Sequence, residues 1–577
     1  MNNLHDFIFL LRKNNLIKDI FCSVDSNLEI AEIHRRVIQE EGPALLFHNV
    51  KGSSFPVVTN LYGTQKRVDL AFSCFSDDLL SKILLLLESF SLNSFWKNKS
   101  ILKRFLNIGK KKSYFSPLKK NFKTLPNLYN LPLLKSWPED GGHFITLPLV
   151  YTESPFNGIP NLGMYRIQRF DKHTLGLHFQ IQKGGGFHYQ QAEKLNIQLP
   201  VSIFLGGHPV LMLAAISPLP ENVSEIMFAS FLMNKKIKFF KTSSFPYPIF
   251  SDCEIALLGY SPPYQRKEEG PFGDHLGYYS LKHPFPIFKC LKMYYKKNAI
   301  YPATIVGKPR QEDFYIGNKI QSLLSPLIPK LMPGIINLHS YGDSGFHPVS
   351  AAQIIERYEK QSLSLAFRIL GEGQLSLTKF LLITDQKVNL VDIKDVLIAI
   401  LERFNPKYDL RIFAHTSQDT LDYTGREYCK GSKAVLMGLG KKIRTLPTTY
   451  PKENSIEKIK NIKVFCPGCL ILEPYCKKSF CPKFLLNNPF LKTWPLVIIV
   501  DSTTSATKDN ISFLWEVFTR FDPAFDVFSK ISLKHHNLEY SLPIIINALK
   551  KNFYPKEVEC DDITKSIVDN KWKTYFQ

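Results

Sequence analysis

The sequence is short of cysteine, with ten in 577 residues, a density that excludes a disulfide scaffold. It also lacks a long apolar run. The longest stretch without Asp, Glu, Lys or Arg is Leu195 to Pro220. Pro200, Pro209, Pro218, Pro220 and the pair Gly206-Gly207 interrupt it, and hydrocarbon cannot satisfy a backbone broken that often. The reading is a strand over Val201–Leu205, a turn, and a helix over Pro209–Ile216, with no transmembrane span. A secretory leader is not expected either, because Arg12 and Lys13 close the run Phe7 to Leu11. Leu4, Phe7, Ile8 and Leu11 instead share one helix face. A reduced cytoplasmic setting is the expectation. G-x-S-x-G, H-E-x-x-H and a complete Rossmann fingerprint are all missing.

What is present excludes a wholly disordered or collagen-like chain. The residues are 44% hydrophobic and 21% charged, with 37 Pro and 30 Gly, enough apolar material for several cores. At roughly 100–200 residues per domain the length predicts about three or four domains. Lys plus Arg exceed Asp plus Glu by 73 − 51 = 22. Such an excess suits nucleic acid, an anionic membrane face or phosphorylated ligands, and composition does not choose among them.

Residues 1 to about 95 mix helix and strand. Ala44–Val50 and Phe55–Asn60 read as strands, and Asp77–Phe90 as an amphipathic helix. From Lys97 to Lys123 there are ten Lys or Arg and no acid, interleaved with Phe105, Tyr114, Phe115 and Phe122. This segment is a solvated linker or lid, or an anion-facing patch for nucleic acid or lipid head groups. From about 140 to 305, frequent Gly and Pro between short β-branched or aromatic runs indicate a β-rich domain. There Leu175, Leu177, Phe179 and Ile181 alternate with His178, Gln180 and Gln182, and Gly184-Gly185-Gly186 is read as the end of that strand. Glu312 to Leu331 reads as a connecting helix interrupted by Pro326.

The remainder reads as α/β and carries a partial internal repeat. An apolar strand ending in Asp385, a helical stretch and Arg403-Phe-Asn-Pro-Lys-Tyr-Asp409 recur as a strand ending in Asp501, a helical stretch and Arg520-Phe-Asp-Pro-Ala-Phe-Asp526. The predicted division is 1–130, an N-terminal α/β domain ending in a basic linker; 131–310, a β-rich domain; 311–335, a connecting helix; and 336–577, an α/β domain with a duplicated strand-helix element.

Several short segments could carry chemistry. Asn161-Leu-Gly-Met-Tyr-Arg166 offers a neutral oxygen ligand and a fixed cation. Glu269-Gly-Pro-Phe-Gly-Asp274 sets two carboxylates five apart on a loop that Gly270, Pro271 and Gly273 make irregular. Ser224-Glu225 reads as a helix start, where a carboxylate normally serves the helix dipole. Gly431-Ser-Lys433 has the makings of a phosphate grip without the rest of a P-loop. Cys466, Cys469, Cys476 and Cys481 could hold a structural zinc, although their spacing is not a paired C-x2-C and ordinary thiols are the stronger reading.

Taken in order, these pieces resemble the UbiD family of aromatic acid decarboxylases. The resemblance rests on Trp137-Pro-Glu-Asp-Gly-Gly142, Asn161 to Arg166, Lys183-Gly-Gly-Gly186, Pro218-Leu-Pro220 with Ser224-Glu225, Glu269 to Asp274, and Gly431-Ser-Lys433. It covers about residues 30 to 440. The longer C-terminal part is similar to the branch associated with menaquinone synthesis. The resemblance implies an N-terminal α/β domain, a central split β-barrel that binds prenylated FMN, and a C-terminal α/β domain for oligomerisation as a dimer or hexamer.

It further implies Mn²⁺ or Mg²⁺, with K⁺ in many members, and a prenyl-flavin synthase that supplies the cofactor. Asn161 and Glu225 match its metal ligands, and Gln182 stands where relatives commonly have His. Met164, Tyr165, Arg166, His178, Phe179, Gln180, Lys183, Gly184 and Lys433 match cofactor contacts. Arg166, Glu269 and Asp274 match the catalytic network. The implied reaction is non-oxidative loss of CO₂ from a hydroxyaryl acid in quinone biosynthesis, of 4-hydroxy-3-polyprenylbenzoate or 1,4-dihydroxy-6-naphthoate type. Separately, the ten uncompensated charges from Lys97 to Lys123 give the expectation of peripheral contact at the inner membrane, where polyprenyl substrates reside. The competing readings are a basic nucleic-acid-binding protein, which leaves the Glu269–Asp274 loop without a role, and a non-catalytic UbiD-like scaffold. Asn161 and Arg166 have opposite strand parity, so a bulge or bend between them is required.

Overall fold

The structure is a computed structural model that describes residues 1–73, 104, 106–180, 183–219, 223–451 and 455–577. The expected helix at 77–90 and the start of the basic stretch lie outside the described residues. The chain forms two compact units, residues 1–320 with 556–577, and residues 321–555.

In the first unit the strands Ile17–Val24 and Ala44–Val50 run parallel, joined by the helix Glu29–Gln39. Val57–Thr59 and Tyr301–Pro302 complete this four-stranded sheet. A ten-stranded sheet carries the rest, and its hub is the long strand His283–Tyr295. That strand pairs with Thr174–Leu177, Ile255–Ser261, Arg266–Glu269 and Phe122–Thr124 along its length. The alternate residues Val201, Ile203 and Leu205 all join one core, as period-two alternation requires. No sheet among the described residues closes on itself. The helix Pro209–Ile216 and the strand Leu199–Leu205 lie where the sequence puts them.

One expectation fails. Gly184-Gly185-Gly186 does not merely end a strand; it opens the helix Gly184–Lys194, and the preceding strand stops at Leu177. The glycines are needed there for space. A Cβ on Gly184 would overlap the Asn161 carboxamide, and one on Gly185 would crowd Phe179.

The segment Glu312 to Leu331 is helical over Glu312–Leu324, turns through a 3-10 segment that contains Pro326, and resumes over Ile328–Leu331. The last residues return to the first unit. Lys556 to Val558 bond to the backbone at Gly277 to Tyr279, and the helix Asp562–Phe576 packs on the N-terminal domain through Tyr575 and Lys571, which both reach Glu29.

The second unit holds two five-stranded sheets. In sheet order the strands begin at 335, 349, 380, 430 and 410 in one, and at 459, 469, 496, 537 and 527 in the other. The pattern of parallel and antiparallel pairs is identical. The repeat seen in the sequence is therefore a duplicated five-stranded unit. Its signature residues do equivalent work in each copy. Asp392 and Asp509 cap helices, Asp385 and Asp501 accept the amides of Gly440 and Lys550, and Asp409 and Asp526 accept the amides of Asn405 and Asp522. Among the described residues no helix is long and apolar enough to cross a membrane.

Candidate active site

Arg166 lies in a gap between two strands, Pro160–Gly163 and Ile167–Arg169. This break supplies the change of direction that the parity of Asn161 and Arg166 demands. Its guanidinium grips Glu269 with two bonds, Nε to Oε1 at 2.9 Å and Nη2 to Oε2 at 3.2 Å. Nη1 donates to Asp274 Oδ2, and Nη2 also donates to Ser280 Oγ at 3.0 Å. The cation sits 4.7 Å from the Phe272 ring centroid. Glu269 is fully buried, and its second neighbour is His178, whose Nδ1 lies 2.9 Å from Oε2. Asp274 Oδ1 accepts the amide and Nδ1 of His275, at 2.7 and 2.8 Å.

Electrostatics follow from this packing. Burial pushes the Glu269 carboxyl up, but the charges of Arg166 and His178 outweigh it and bring the pKa to about 2. At Asp274 burial acts the same way and loses to Arg166 and His275, so its pKa is lowered. Burial and Arg166 both lower the pKa of His178, whose Nε2 is buried and has no hydrogen-bond partner among the described residues. Both carboxylates are thus ionised at neutral pH in this arrangement.

The loop that bears Glu269 and Asp274 is fixed by the Trp137-Pro-Glu-Asp-Gly-Gly142 segment. The amides of Ser136 and Trp137 donate to Asp140 Oδ2, and the amide of Gly273 donates to Oδ1. The Gly141 amide donates to Pro271 O at 2.7 Å, and Gln168 bridges Gly141 O and the Gly270 amide. A Cβ on Gly141 would strike Gly270, and one on Gly273 would strike the Trp137 ring, so both glycines are required by close approach. Val558 packs with Trp137 and Tyr279, so the C-terminal segment buttresses the same loop.

A second group of polar side chains lies at the other end of the Asn161–Arg166 segment. Glu225 is the first residue of the helix Glu225–Met233, and its Oε2 accepts the Leu162 amide at 3.1 Å. Burial raises its pKa, and no Lys or Arg among the described residues pairs with it. Asn161 Nδ2 donates to Tyr165 Oη at 3.3 Å, which leaves the carboxamide oxygen available. Tyr165 also accepts the Gly185 amide and packs edge-on against Phe179. A half-buried carboxylate without a cationic partner among the described residues, bonded to the amide next to the Asn161 carboxamide, fits a hard divalent cation. The orphaned His178 Nε2 and the glycine-lined helix start fit a polar planar cofactor. Gln182 lies outside the described residues. His178 and Gln180 follow the end of the strand, and His178 turns into the buried cluster rather than to an outer face.

Lys433 belongs to the second unit. Its ammonium donates to the carbonyls of Ser376 and Thr378, and burial brings its pKa to about 8. Its neighbour Ser432 gives its amide and hydroxyl to Asp522, a carboxylate of the second copy, so that part of the Gly-Ser-Lys segment is a clip between the copies. Cys466 and Cys469 face each other across a hairpin and are buried, whereas Cys476 and Cys481 are exposed. Among the described residues no three His, Cys, Asp or Glu side chains gather as a metal site. Asp140, Gln168, His275 and Ser280 are the residues that sequence reasoning missed. Asp140 lies inside a segment already singled out and His275 directly follows one, but nothing in the sequence marks Gln168 or Ser280.

Comparison with known proteins assigns the family. Three domains of 3-octaprenyl-4-hydroxybenzoate carboxy-lyase match: the N-terminal domain at residues 8–87, the Rift-related domain at 110–309 and the C-terminal domain at 314–438. The chain belongs to the UbiD family, whose members are carboxy-lyases. A protein of Chlamydia pneumoniae, described as one of the subunits of 4-hydroxybenzoate decarboxylase, is 54% identical over 100% of this chain and 99% of its own. An uncharacterised protein of Chlamydia trachomatis is 53% identical over the whole of both chains. Among solved structures, vanillic acid decarboxylase of Sedimentibacter hydroxybenzoicus in its closed form aligns with a TM-score of 0.68 and 22% identity, over 79% of this chain and 95% of that one. The UbiD-class enzyme HmfF of Pelotomaculum thermopropionicum, in complex with FMN, gives 0.63 and 21% over 79% and 97%. At these identities the structures establish the shared fold. The duplicated second sheet begins beyond the last matched family domain.

Proposed function

We propose that the chain is a decarboxylase of hydroxyaryl carboxylic acids in quinone biosynthesis, acting on a 4-hydroxy-3-polyprenylbenzoate or 1,4-dihydroxy-6-naphthoate type substrate. The observation that carries this reading is the buried cluster in which one guanidinium holds two carboxylates, with Asn161 on the same segment as that guanidinium and Glu225 bonded to the Leu162 amide of that segment. Loss of CO₂ from an aryl carboxylate would leave charge in an orbital orthogonal to the ring π system. Prenylated FMN, when bound, supplies the electron sink that avoids this anion.

The chain's own residues do the rest. Asn161 and Glu225 would hold Mn²⁺ or Mg²⁺, with Gln182 as a further ligand and K⁺ as a second ion. Met164, Tyr165, His178, Phe179, Gln180, Lys183 and Gly184 would contact the cofactor. Arg166 orients the substrate carboxylate and Glu269 keeps the guanidinium in place. Asp274 delivers the proton that replaces CO₂. Its pKa is low while Arg166 is bound to it. A substrate carboxylate that takes over the guanidinium removes that attraction, and burial then raises Asp274 towards the neutral acid the step needs. A prenyl-flavin synthase provides the cofactor, and the enzyme works as a homo-oligomer.

The test is co-expression with such a synthase, then absorbance and mass spectrometry of the purified protein and CO₂ release from both substrate classes. Asp274→Asn is expected to keep the cofactor and to lower turnover by about 10²–10⁴-fold, the usual worth of a positioned acid. Near-normal turnover would remove Asp274 from the mechanism, and failure of both substrates would remove the quinone assignment.

A further inference from the structure

Three segments of the first unit, 110–123, 235–241 and 289–297, contain many lysines and no Asp or Glu. The fold brings them together. Lys110–Lys112 pairs with Ile237–Thr242, Phe122–Thr124 pairs with the end of His283–Tyr295, and the Ser113 amide donates to Phe239 O at 2.7 Å. In this register Lys111 lies directly beside Lys238, and both are exposed. Like charges on adjacent strand positions repel, so the arrangement destabilises the free protein unless an anion meets it.

Within these segments Lys296 has an ion-pair partner, Glu254 at 2.7 Å. The charges of Asp252 and Glu153 reach Lys238 and Lys110, and the remaining lysines have no ion pair among the described residues. Apolar side chains stand among them. Phe115 is 93% exposed, Leu106 76% and Tyr114 71%. Lys112 lies over the Tyr114 ring and Lys292 over Phe122, at 5.2 and 4.6 Å.

We propose that this face docks the protein on an anionic lipid bilayer, with the lysines at the head groups and Phe115, Tyr114 and Leu106 in the interfacial layer. Phosphate charge alone would suit nucleic acid equally, but two features favour lipid. Exposed leucines, Leu106, Leu125 and Leu291, offer no ring for bases to stack on. The cations of the three segments are all lysines, with none of the forked guanidinium groups that read base edges.

The face is also coupled to the active site. The helix Glu225–Met233 begins at the proposed metal ligand and ends three residues before Lys236, so the two are separated by one helix of about 13 Å. Docking would thus hold the pocket near the layer where a polyprenyl tail resides; that consequence, though not the docking, rests on the function proposed above.

The experiment uses the full-length protein with sedimenting vesicles of phosphatidylcholine alone, or of phosphatidylcholine enriched in phosphatidylglycerol. Binding is expected to the anionic vesicles at low salt and not to the neutral ones. The double variant Lys111→Glu, Lys238→Glu is expected to weaken it about a hundredfold or more, from the usual contribution of each lysine near such a surface. Phe115→Ser should weaken it about tenfold and leave the residual binding fully reversible by salt. CO₂ release from a water-soluble substrate should be unchanged in both variants, which separates this proposal from the proposed reaction. No binding to either vesicle, equal binding to both, or indifference to both variants overturns it. So does tighter, variant-sensitive binding to unrelated DNA, which would assign the face to nucleic acid.

Discussion

Replacing Asp140 should separate the stability of the protein from the placement of its catalytic loop. Its two carboxylate oxygens accept three backbone amides, Ser136 and Trp137 on one and Gly273 on the other, at 3.0, 2.9 and 2.8 Å. In Asp140→Ala all three donors lose their partner in a buried site. At about 1–3 kcal/mol for each unsatisfied group, partly relieved by entering water, the loss is roughly 3–6 kcal/mol. That is a large share of a domain's typical margin of about 5–15 kcal/mol.

Asp140→Asn behaves differently. The carboxamide keeps one oxygen, and its best placement accepts Ser136 and Trp137 while its NH₂ group opposes the Gly273 amide. The variant also escapes a cost. Burial raises the Asp140 pKa from 3.8 to about 6. The folded value lies above the unfolded one, so this carboxyl is best tolerated below the unfolded pKa and costs stability as pH rises through 6, roughly 3 kcal/mol at pH 8. The gain offsets the lost bond. Asp140→Asn should therefore unfold near the wild-type urea concentration at pH 8, yet release the Gly273 amide to hydrogen exchange and slow CO₂ release. Asp140→Ala should unfold at much lower urea. The reasoning fails if Asp140→Ala keeps its midpoint, or if the Gly273 amide stays protected in Asp140→Asn.

Two further outcomes follow from the same geometry. Gly184→Ala puts a methyl group into the Asn161 carboxamide and must displace it, so Mn²⁺ binding measured by calorimetry should weaken at least tenfold while the fold survives; unchanged affinity would remove Asn161 from the metal site. Glu312 is completely buried, and burial carries its pKa from 4.5 to about 7, so its contribution is most favourable below the unfolded value and is lost as pH rises through 7. Glu312→Gln, which retains an oxygen for the Tyr62 amide at 2.7 Å, should be more stable than wild type above pH 7 by up to roughly 3 kcal/mol in urea melts, and equal stability at pH 8 would refute this.

Local patterns made much of the architecture readable. The strand and helix flanking Gly206-Gly207, the connecting helix broken near Pro326 and the repeated Arg-Phe-x-Pro motif all follow from short-range rules about backbone, periodicity and proline. The repeat was legible as one strand-helix element, but its extension to five strands was not, because the other strands share pairing pattern rather than residues. The triple glycine was misread because a glycine run marks missing Cβ atoms without saying whether the space goes to a turn or, as here, to a helix start pressed against Asn161.

Residue order alone set out the chemical groups: which carboxylates, which guanidinium, which carboxamide, and the flexible glycines between them. It took the folded chain to show that Asp140 anchors the Gly273 amide, that His178 and Arg166 share Glu269, that Ser432 is bonded to Asp522, and that Val558 from the far end of the chain supports Trp137. A hydrogen bond between residues ninety or more positions apart depends on strand register and loop path, which no local spacing encodes. The protonation of each buried acid is set by which cation that path brings within reach.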